Sequence, residues 1–408
     1  MRVRGRDPQT GMKPQQQPSD TDAFSRLPPA QLIDTPARMG DLRRALAAAP
    51  RLAVDTESNS LHAYRERVCL IQISTDQADY LIDPIQLEGR TSLAFLGDIF
   101  ADPTVEKVFH AAEYDVMTLH RDFGFTFANI FDTMIAASVL GWQQVGLGAI
   151  LMERYGVKVD KHHQRANWGR RPLPPTLIRY AQMDTHYLLR LRDEMWMLLE
   201  QGGHLEEARE MFDAVCRARW GNADFAPEGY WRISGARDLD RRGMAVLREL
   251  YHWREQEAQR RNVPVFKVLS DQGLIYLART RPRSLDEIKQ ATRFAEGQIQ
   301  RYGNTILRMI EAGLRAEPPT VPIRHNGLPA DEATLRRYEA LHIWRKERAA
   351  QRGVSSEVIV SREALWELAI AAPRSPEQLE AIHSLGPWRI KTYGAEILDV
   401  IAKTDGAD

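Results

Sequence analysis

The sequence predicts an α/β domain with a mixed sheet, followed by two small all-α domains. Three observations carry that expectation. Short apolar runs come early and alternate with helical periodicity, strand signals almost vanish after about residue 220, and one helical stretch recurs 91 residues further on. Early strands that give way to alternating helices are the pattern of a mixed sheet covered by helices.

Residues 1–24 are polar, rich in Pro, Gln and Asp, and lack an apolar core, so a disordered tail is expected there and not a signal peptide. The α/β domain is expected over 25–220. Its first strands are the apolar runs Arg51–Thr56, Val68–Ile73 and Tyr80–Ile82. Thr91–Phe100 has helical periodicity, with Leu93, Leu96, Ile99 and Phe100 on one side. Lys107–His110 is a short strand, and Tyr114–Phe123 a helix with the stripe Val116, Leu119, His120 and Phe123. Asp132 reads as the N-cap of the helix that Met134 begins, while Asp79, Asp83 and Asp102 read as turn residues. From Pro175 to about Arg219 nearly everything is helical.

The all-α part rests on the repeat. Leu250–Ile310 aligns without a gap on Leu341–Ile401, with 19 identities in 61 pairs. Leu250, Trp253, Arg254 and Arg261 return as Leu341, Trp344, Arg345 and Arg352, and Ile299, Tyr302, Gly303 and Ile306 return as Ile390, Tyr393, Gly394 and Ile397. Two tandem copies of one helical unit follow, over 235–315 and 331–403, because a unit of this length can hold its own core. The prolines and glycine of 316–330 mark a linker.

Composition narrows the function classes. With 43% hydrophobic residues the chain can bury real cores, which excludes a disordered protein. Equal numbers of basic and acidic residues, 55 each, exclude a uniformly basic nucleic-acid coat. Only two cysteines occur, Cys69 and Cys216, both in apolar segments, as expected of a reduced intracellular chain. No run approaches the eighteen or so apolar residues of a membrane span. A soluble cytoplasmic monomer is expected. The charge is unevenly spread: residues 235–315 carry 16 Lys+Arg against 10 Asp+Glu, while 25–220 carry 22 against 26 and 330–408 carry 11 against 13. The first helical copy, with a balance of +6, is the best candidate for a surface that binds a polyanion, the alternative being a solvated helical face.

Four carboxylates and a tyrosine stand out. Asp55 and Glu57 end an apolar strand and point to the same face, about 6–7 Å apart at the usual rise of a strand. Like charges so placed repel unless a cation lies between them, although a strand running out into solvated acids reads the same way. Asp115 begins a helix, where the dipole alone favours an acid. Asp184 interrupts the apolar stripe Leu177, Ala181, Leu188, Leu191, Met195 and Leu198, and a carboxylate there is costly unless paired or bound to metal. Tyr180 lies one turn before it on the same side. Near these, Lys158, Lys161, Arg165, Arg170 and Arg171 surround Trp168, either as a solvated loop or as phosphate contacts. Leu61 is either a core residue or a wedge against a terminal base. His162, His163 and His186 lack zinc-ligand spacing, and Gly146, Gly148 and Gly156 do not form a phosphate loop.

In this order, Asp55-x-Glu57, Asp115 within His110-x-x-x-Tyr114-Asp115, and Tyr180-x-x-x-Asp184 resemble the three motifs of the DEDD 3′–5′ exonucleases, in the tyrosine form. Asp160-Lys161, Arg165, Trp168 and Arg171-Pro-Leu173 resemble the stretch before the third motif in the ribonuclease D family, and the repeat resembles two HRDC modules. The resemblance spans residues 25–402 and implies a ribonuclease H-like mixed-sheet exonuclease domain followed by two small all-α HRDC domains. It further implies that Asp55, Glu57, Asp115 and Asp184 hold two divalent ions, Mg²⁺ or Mn²⁺, and that Tyr180 orients the attacking water. Such hard ions prefer carboxylate oxygens, and two of them about 3.5–4 Å apart serve both attacking and leaving oxygens. Substrate contacts are implied for Thr56, Leu61, His110, Lys161 and Arg165. The implied activity is 3′–5′ trimming of tRNA precursors and small structured RNAs with a single-stranded 3′ end, releasing 5′-nucleoside monophosphates. Two other readings compete: a DNA-directed 3′–5′ exonuclease with the same acids, and a non-catalytic RNA-binding protein. Intact motif residues count against the second, and the absence of helicase motifs counts against the first.

Overall fold

A computed structural model describes residues 27–87, 91–220, 225–291, 294, 296–320 and 331–406. The expected tail over 1–24 and the greater part of the expected linker, 321–330, lie outside the described residues.

Six strands, β1 (Gln31–Ile33), β2 (Arg51–Ser58), β3 (Val68–Ser74), β4 (Asp79–Ile82), β5 (Glu106–Phe109) and β6 (Ile130–Asp132), form one sheet in the order β1-β4-β3-β2-β5-β6. β2, β3 and β4 are joined as antiparallel neighbours, while β1–β4, β2–β5 and β5–β6 are parallel, so the sheet is mixed as expected. Parallel neighbours need a crossover. Helices α1 (Pro36–Ala47), α2 (Ala94–Ala101) and α3 (Glu113–Phe123) lie on one face of the sheet, and α3 is the crossover from β5 to β6. β1 and β6 are three residues long, too short for periodicity to reveal.

The period-2 alternation of β2 and β3 sorts the core. Val54, Ile71, Ile73 and Phe109 pack with Leu42, Leu46, Phe100, Val116 and Leu119 on the α1–α3 face. The opposite face is covered by α4 (Thr133–Val139), α5 (Leu147–Tyr155), α6 (Pro175–His186), α7 (Leu188–Gln201) and α8 (Leu205–Cys216). There Ala53 and Val108 meet Leu188, Leu191 and Phe212, while Leu70 and Leu81 meet Leu177, Tyr180 and Ala181. The stripe expected to run through one helix from Leu177 to Leu198 is divided at Tyr187, which caps α6 and precedes α7. No glycine or proline announces that break. Asp132 does cap α4, its carboxylate accepting from the amides of Met134 and Ile135.

Asp79 corrects the turn reading, whereas Asp83 bears it out, its carboxylate accepting from the amides of Ile85 (3.0 Å) and Gln86 (3.1 Å). Asp79 lies in β4 and accepts hydrogen bonds from Gln182 Nε2 (2.6 Å) and His186 Nδ1 (2.8 Å) of α6. Asp83 is buried and pairs with Arg171, whose guanidinium also donates to the carbonyls of Cys69 (2.6 Å) and Trp168 (2.7 Å). A buried aspartate and an arginine that satisfy each other form a strut under the sheet edge. Arg171 therefore serves the fold and is not available for phosphate. Asp102 does serve a turn, accepting from the Thr104 amide.

The two helical copies match element by element. The first holds α9 (Arg241–Arg261), α10 (Val265–Val268), α11 (Asp271–Thr280), α12 (Leu285–Ala291) and α13 (Glu296–Arg315), and the second α14 (Glu332–Arg352), α15 (Ser356–Ile359), α16 (Arg362–Ala371), α17 (Pro376–Leu379) and α18 (Pro387–Asp405). Each has its own core, around Leu250, Leu274 and Ile306 in one and around Leu341, Leu365 and Ile397 in the other. The repeated Arg254 and Arg345 are both buried and both donate to a loop carbonyl, Leu269 O and Val360 O.

The second copy is docked on the exonuclease domain through α8. Arg352 donates to the fully buried carboxylate of Glu207, and Arg389 Nη1 reaches Glu210 Oε1 at 2.6 Å. Glu210 also accepts from the Trp388 amide at 2.6 Å, so it caps the N-terminus of α18 from another domain. Gly386 permits that approach, because a Cβ there would lie 2.0 Å from the Glu210 carboxyl carbon. Val358 completes the interface among Ala208 and Phe212. Charge alone suggests that a chain lacking 318–408 loses little RNA affinity, but these contacts add a loss of stability that composition does not show. Arg352→Ala strands a carboxylate with no exposure to solvent. It is expected to destabilise by about 3 kcal/mol, near the lower end for a broken buried pair because His204 remains beside Glu207. Chemical denaturation of Arg352→Ala and of the double variant Glu207→Gln/Arg352→Ala checks this, since the double variant recovers much of the loss.

Candidate active site

β2 carries Asp55 and Glu57 onto the α6 face, and α6 lies across that face with Tyr180 and Asp184 pointing at them. One carboxylate oxygen from each of Asp55, Glu57 and Asp184 lies within 4.8 Å of the other two. They line an open cleft of about 490 Å³ together with Thr56, His110, Met134, Gln164 and Tyr180. That volume falls within the usual range of small-ligand sites. A cavity of about 500 Å³ in the second helical copy, around Pro373, Leu398 and Ala402, is mainly apolar, and the chemistry belongs to the acidic cleft.

Asp115 is placed differently. It sits in the first turn of α3, buried, and accepts a hydrogen bond from the Thr56 hydroxyl. Thr56 faces the other side of β2 from Asp55, so Asp115 approaches the acids from beyond the strand. Burial, and then the charge of Asp55, raise its pKa, yet it is not among the three converging carboxylates.

The electrostatics of the cleft favour positive charge. The carboxylates open onto the cleft, but the protein around them is dense enough for desolvation to dominate. Burial pushes Asp55 up to about 7. Burial, and then the charges of Asp55, Asp184 and Asp115, hold Glu57 well above the ordinary glutamate range. Asp184 is raised by burial and by Asp55 and Asp115. Tyr180 is raised by burial and then by Asp184, Glu57 and Asp55, so its hydroxyl stays protonated. Its ring is buried against Trp168 at 6.1 Å and His163 at 5.7 Å between centroids.

A pH effect follows. Carboxyls whose folded pKa exceeds the unfolded value stabilise the fold below the unfolded pKa, and that contribution is lost as pH rises through the folded pKa. For Asp55 the window runs from its ordinary value of 3.8 to about 7. The chain in chelator is therefore expected to lose stability between about pH 4 and 7, and Asp55→Asn to flatten that loss. Thermal melts across this range check both.

Of the residues expected to touch substrate, Thr56 and His110 line the cleft, whereas Leu61 and Arg165 do not. Leu61 is 40% exposed, and Arg165 is exposed with its carbonyl accepting from His62. The side chain of Lys161 lies outside the described residues. His110 Nδ1 bonds Thr133 Oγ1 at 2.9 Å, and that hydroxyl donates to the Phe109 carbonyl at 3.0 Å. Nδ1 therefore carries the proton and Nε2 is an acceptor, with burial lowering the pKa to about 4. Sequence reasoning missed Gln164, which bonds Tyr180, and the first turn of α5, where Gly146, Leu147 and Gly148 line the cleft. Gln164 lay within the basic stretch and gave no signal of its own.

Comparisons with known proteins agree with this geometry. A family model described as 3′-5′ exonuclease matches residues 30–200, and one described as HRDC domain matches 243–310 and 334–401. The chain is 31% identical over 383 residues to ribonuclease D of Granulibacter bethesdensis, covering 92% of this chain and 93% of that one. Ribonuclease D of Acidiphilium cryptum is also 31% identical, with 91% and 93% covered. The crystal structure of Escherichia coli RNase D, an exoribonuclease involved in structured RNA processing, superposes with a TM-score of 0.65 at 25% identity, covering 92% of this chain and 99% of that one.

Proposed function

The chain belongs to the ribonuclease D family of 3′–5′ exoribonucleases, and on that premise we propose that it trims tRNA precursors and other small structured RNAs by metal-dependent hydrolysis. The observation that carries the metal reading is the convergence of Asp55, Glu57 and Asp184, three desolvated carboxylates of like charge. An all-oxygen donor set of this kind fits Mg²⁺ or Mn²⁺ better than zinc. Asp55, Glu57 and Asp184 would hold the ions, with Asp115 reaching in from α3. When bound, the ions supply an activated water and neutralise the charge that develops on the phosphate.

The chain's own residues do the rest. The Tyr180 hydroxyl, held protonated and fixed by its ring contacts, orients the attacking water and does not act as a base. The Thr56 hydroxyl fixes Asp115. His110 stays neutral and offers Nε2 as an acceptor to a sugar hydroxyl, which favours RNA over DNA. The open cleft admits a single-stranded 3′ end, and successive hydrolysis releases 5′-nucleoside monophosphates. The first helical copy, with 16 basic against 10 acidic residues over 235–315, grips the body of the RNA.

Incubation of 5′-labelled RNA and DNA oligomers with Mg²⁺ or Mn²⁺ tests the proposal. A ladder shortening from the 3′ end on RNA alone is expected, with none in chelator. Equal shortening of DNA supports the DNA exonuclease reading, and binding without shortening supports the non-catalytic one.

A further inference from the structure

Gln72 stands out among the buried side chains. It lies in the middle of β3, an interior strand, with no solvent exposure, and neither its amide nitrogen nor its oxygen has a hydrogen-bond partner. An unpartnered buried carboxamide is uncommon, because burial removes the water that would otherwise satisfy it. On the same face Ser74 and Asp79 are satisfied, although Gln182 Oε1 above them is not. Ser74 donates to Thr185 Oγ1 at 2.7 Å, and Asp79 accepts from Gln182 and His186.

The register places this amide. Gln72 pairs directly with Asp55 across the β2–β3 ladder, and with Leu81 on the other side. Directly opposed residues project to the same face, so Gln72 and Asp55 stand side by side beneath α6. The position along α6 is fixed from both ends. Leu70, two residues before Gln72, packs with Tyr180 and Ala181, and Ser74, two residues after, bonds Thr185. Gln72 thus lies under the turn from Ala181 to Asp184, bracketed by Asp55 at its side and Asp184 above.

We propose that Gln72 is a positioning residue: its carboxamide N–H groups donate to Asp55 and Asp184 on the oxygens turned away from the bound ions, setting the two carboxylates for metal binding. The inference rests on the metal-dependent reading above. Carboxylates that coordinate a cation are ordinarily held by such donors. In the structure the amide stands beside Asp55 without a bond to it, so the proposed bonds form by rotation of these side chains.

The full-length chain and its Gln72→Met variant separate this role from a merely structural one. Met keeps the length and removes both donors. In chelator the variant is expected to melt at the wild-type temperature or above, because an unsatisfied polar group is gone. Its Kd for Mn²⁺, measured by calorimetry, is expected to rise about 10-fold, and the upward melting shift on adding Mn²⁺ to shrink. Gln72→Leu, which removes the amide with a different shape, is expected to lose affinity equally. An unchanged Mn²⁺ Kd in both variants, or melting that drops equally with and without Mn²⁺, overturns the proposal and makes Gln72 a packing residue. Failure of the wild-type chain to bind Mn²⁺ overturns the metal-dependent reading itself, and this proposal with it.

Discussion

Asp184→Asn is expected to lower the rate of 3′ trimming by at least about 10³-fold, the scale of losing a group that stabilises developing charge. The substitution keeps the shape of the side chain and removes one negative ligand from three whose oxygens lie within 4.8 Å. Stability should move the other way. In chelator, ionised Asp184 is desolvated and repelled by Asp55 and Asp115, so the Asn variant is expected to melt at or above the wild-type temperature at pH 7. Loss of activity with retained stability distinguishes a ligand from a folding defect. Single-turnover trimming of a labelled RNA, together with thermal melts in chelator, measures both. Trimming by Asp184→Asn at near the wild-type rate rules out the two-metal assignment.

Tyr180→Phe is expected to lower kcat by about 10²-fold, the scale of a displaced reacting group, with little change in metal affinity. The ring contacts with Trp168 and His163 survive the change, so the fold is not at issue. Only the hydroxyl is lost. Because burial and three carboxylates keep that hydroxyl protonated, raising the pH through 9 should not rescue or abolish wild-type activity by ionising Tyr180. Calorimetric Mn²⁺ binding beside steady-state kinetics separates the two effects. A variant that loses metal binding along with kcat makes Tyr180 a support for the acids and not the group that orients water.

Much of this site was legible in the chain. Strand alternation alone puts Asp55 and Glu57 on one face, and helix periodicity alone puts Tyr180 beside Asp184. These are local facts, set within one or two turns of backbone. The helical repeat was legible for a related reason: each copy carries its buried core within about eighty residues or fewer, so identical spacing means identical packing.

What sequence by itself determined, then, is the shared face of Asp55 and Glu57, the neighbourhood of Tyr180 and Asp184, the mixed sheet and the two tandem helical copies, because backbone periodicity fixes which neighbours along the chain share a face. Only the tertiary structure decided how distant segments meet. It placed Asp115 behind β2 against Thr56, 59 residues away. It joined Asp83 to Arg171 across 88 residues, so that a turn acid and an apparent phosphate contact also form one buried pair. It seated the second helical copy on Glu207 and Glu210 of α8, 145 and 179 residues from their arginines. It also left Gln72 without a partner beside Asp55. A charged or polar residue looks the same in sequence whether water or a remote side chain will satisfy it. The choice is made by burial, which removes water and leaves the partner brought by the fold.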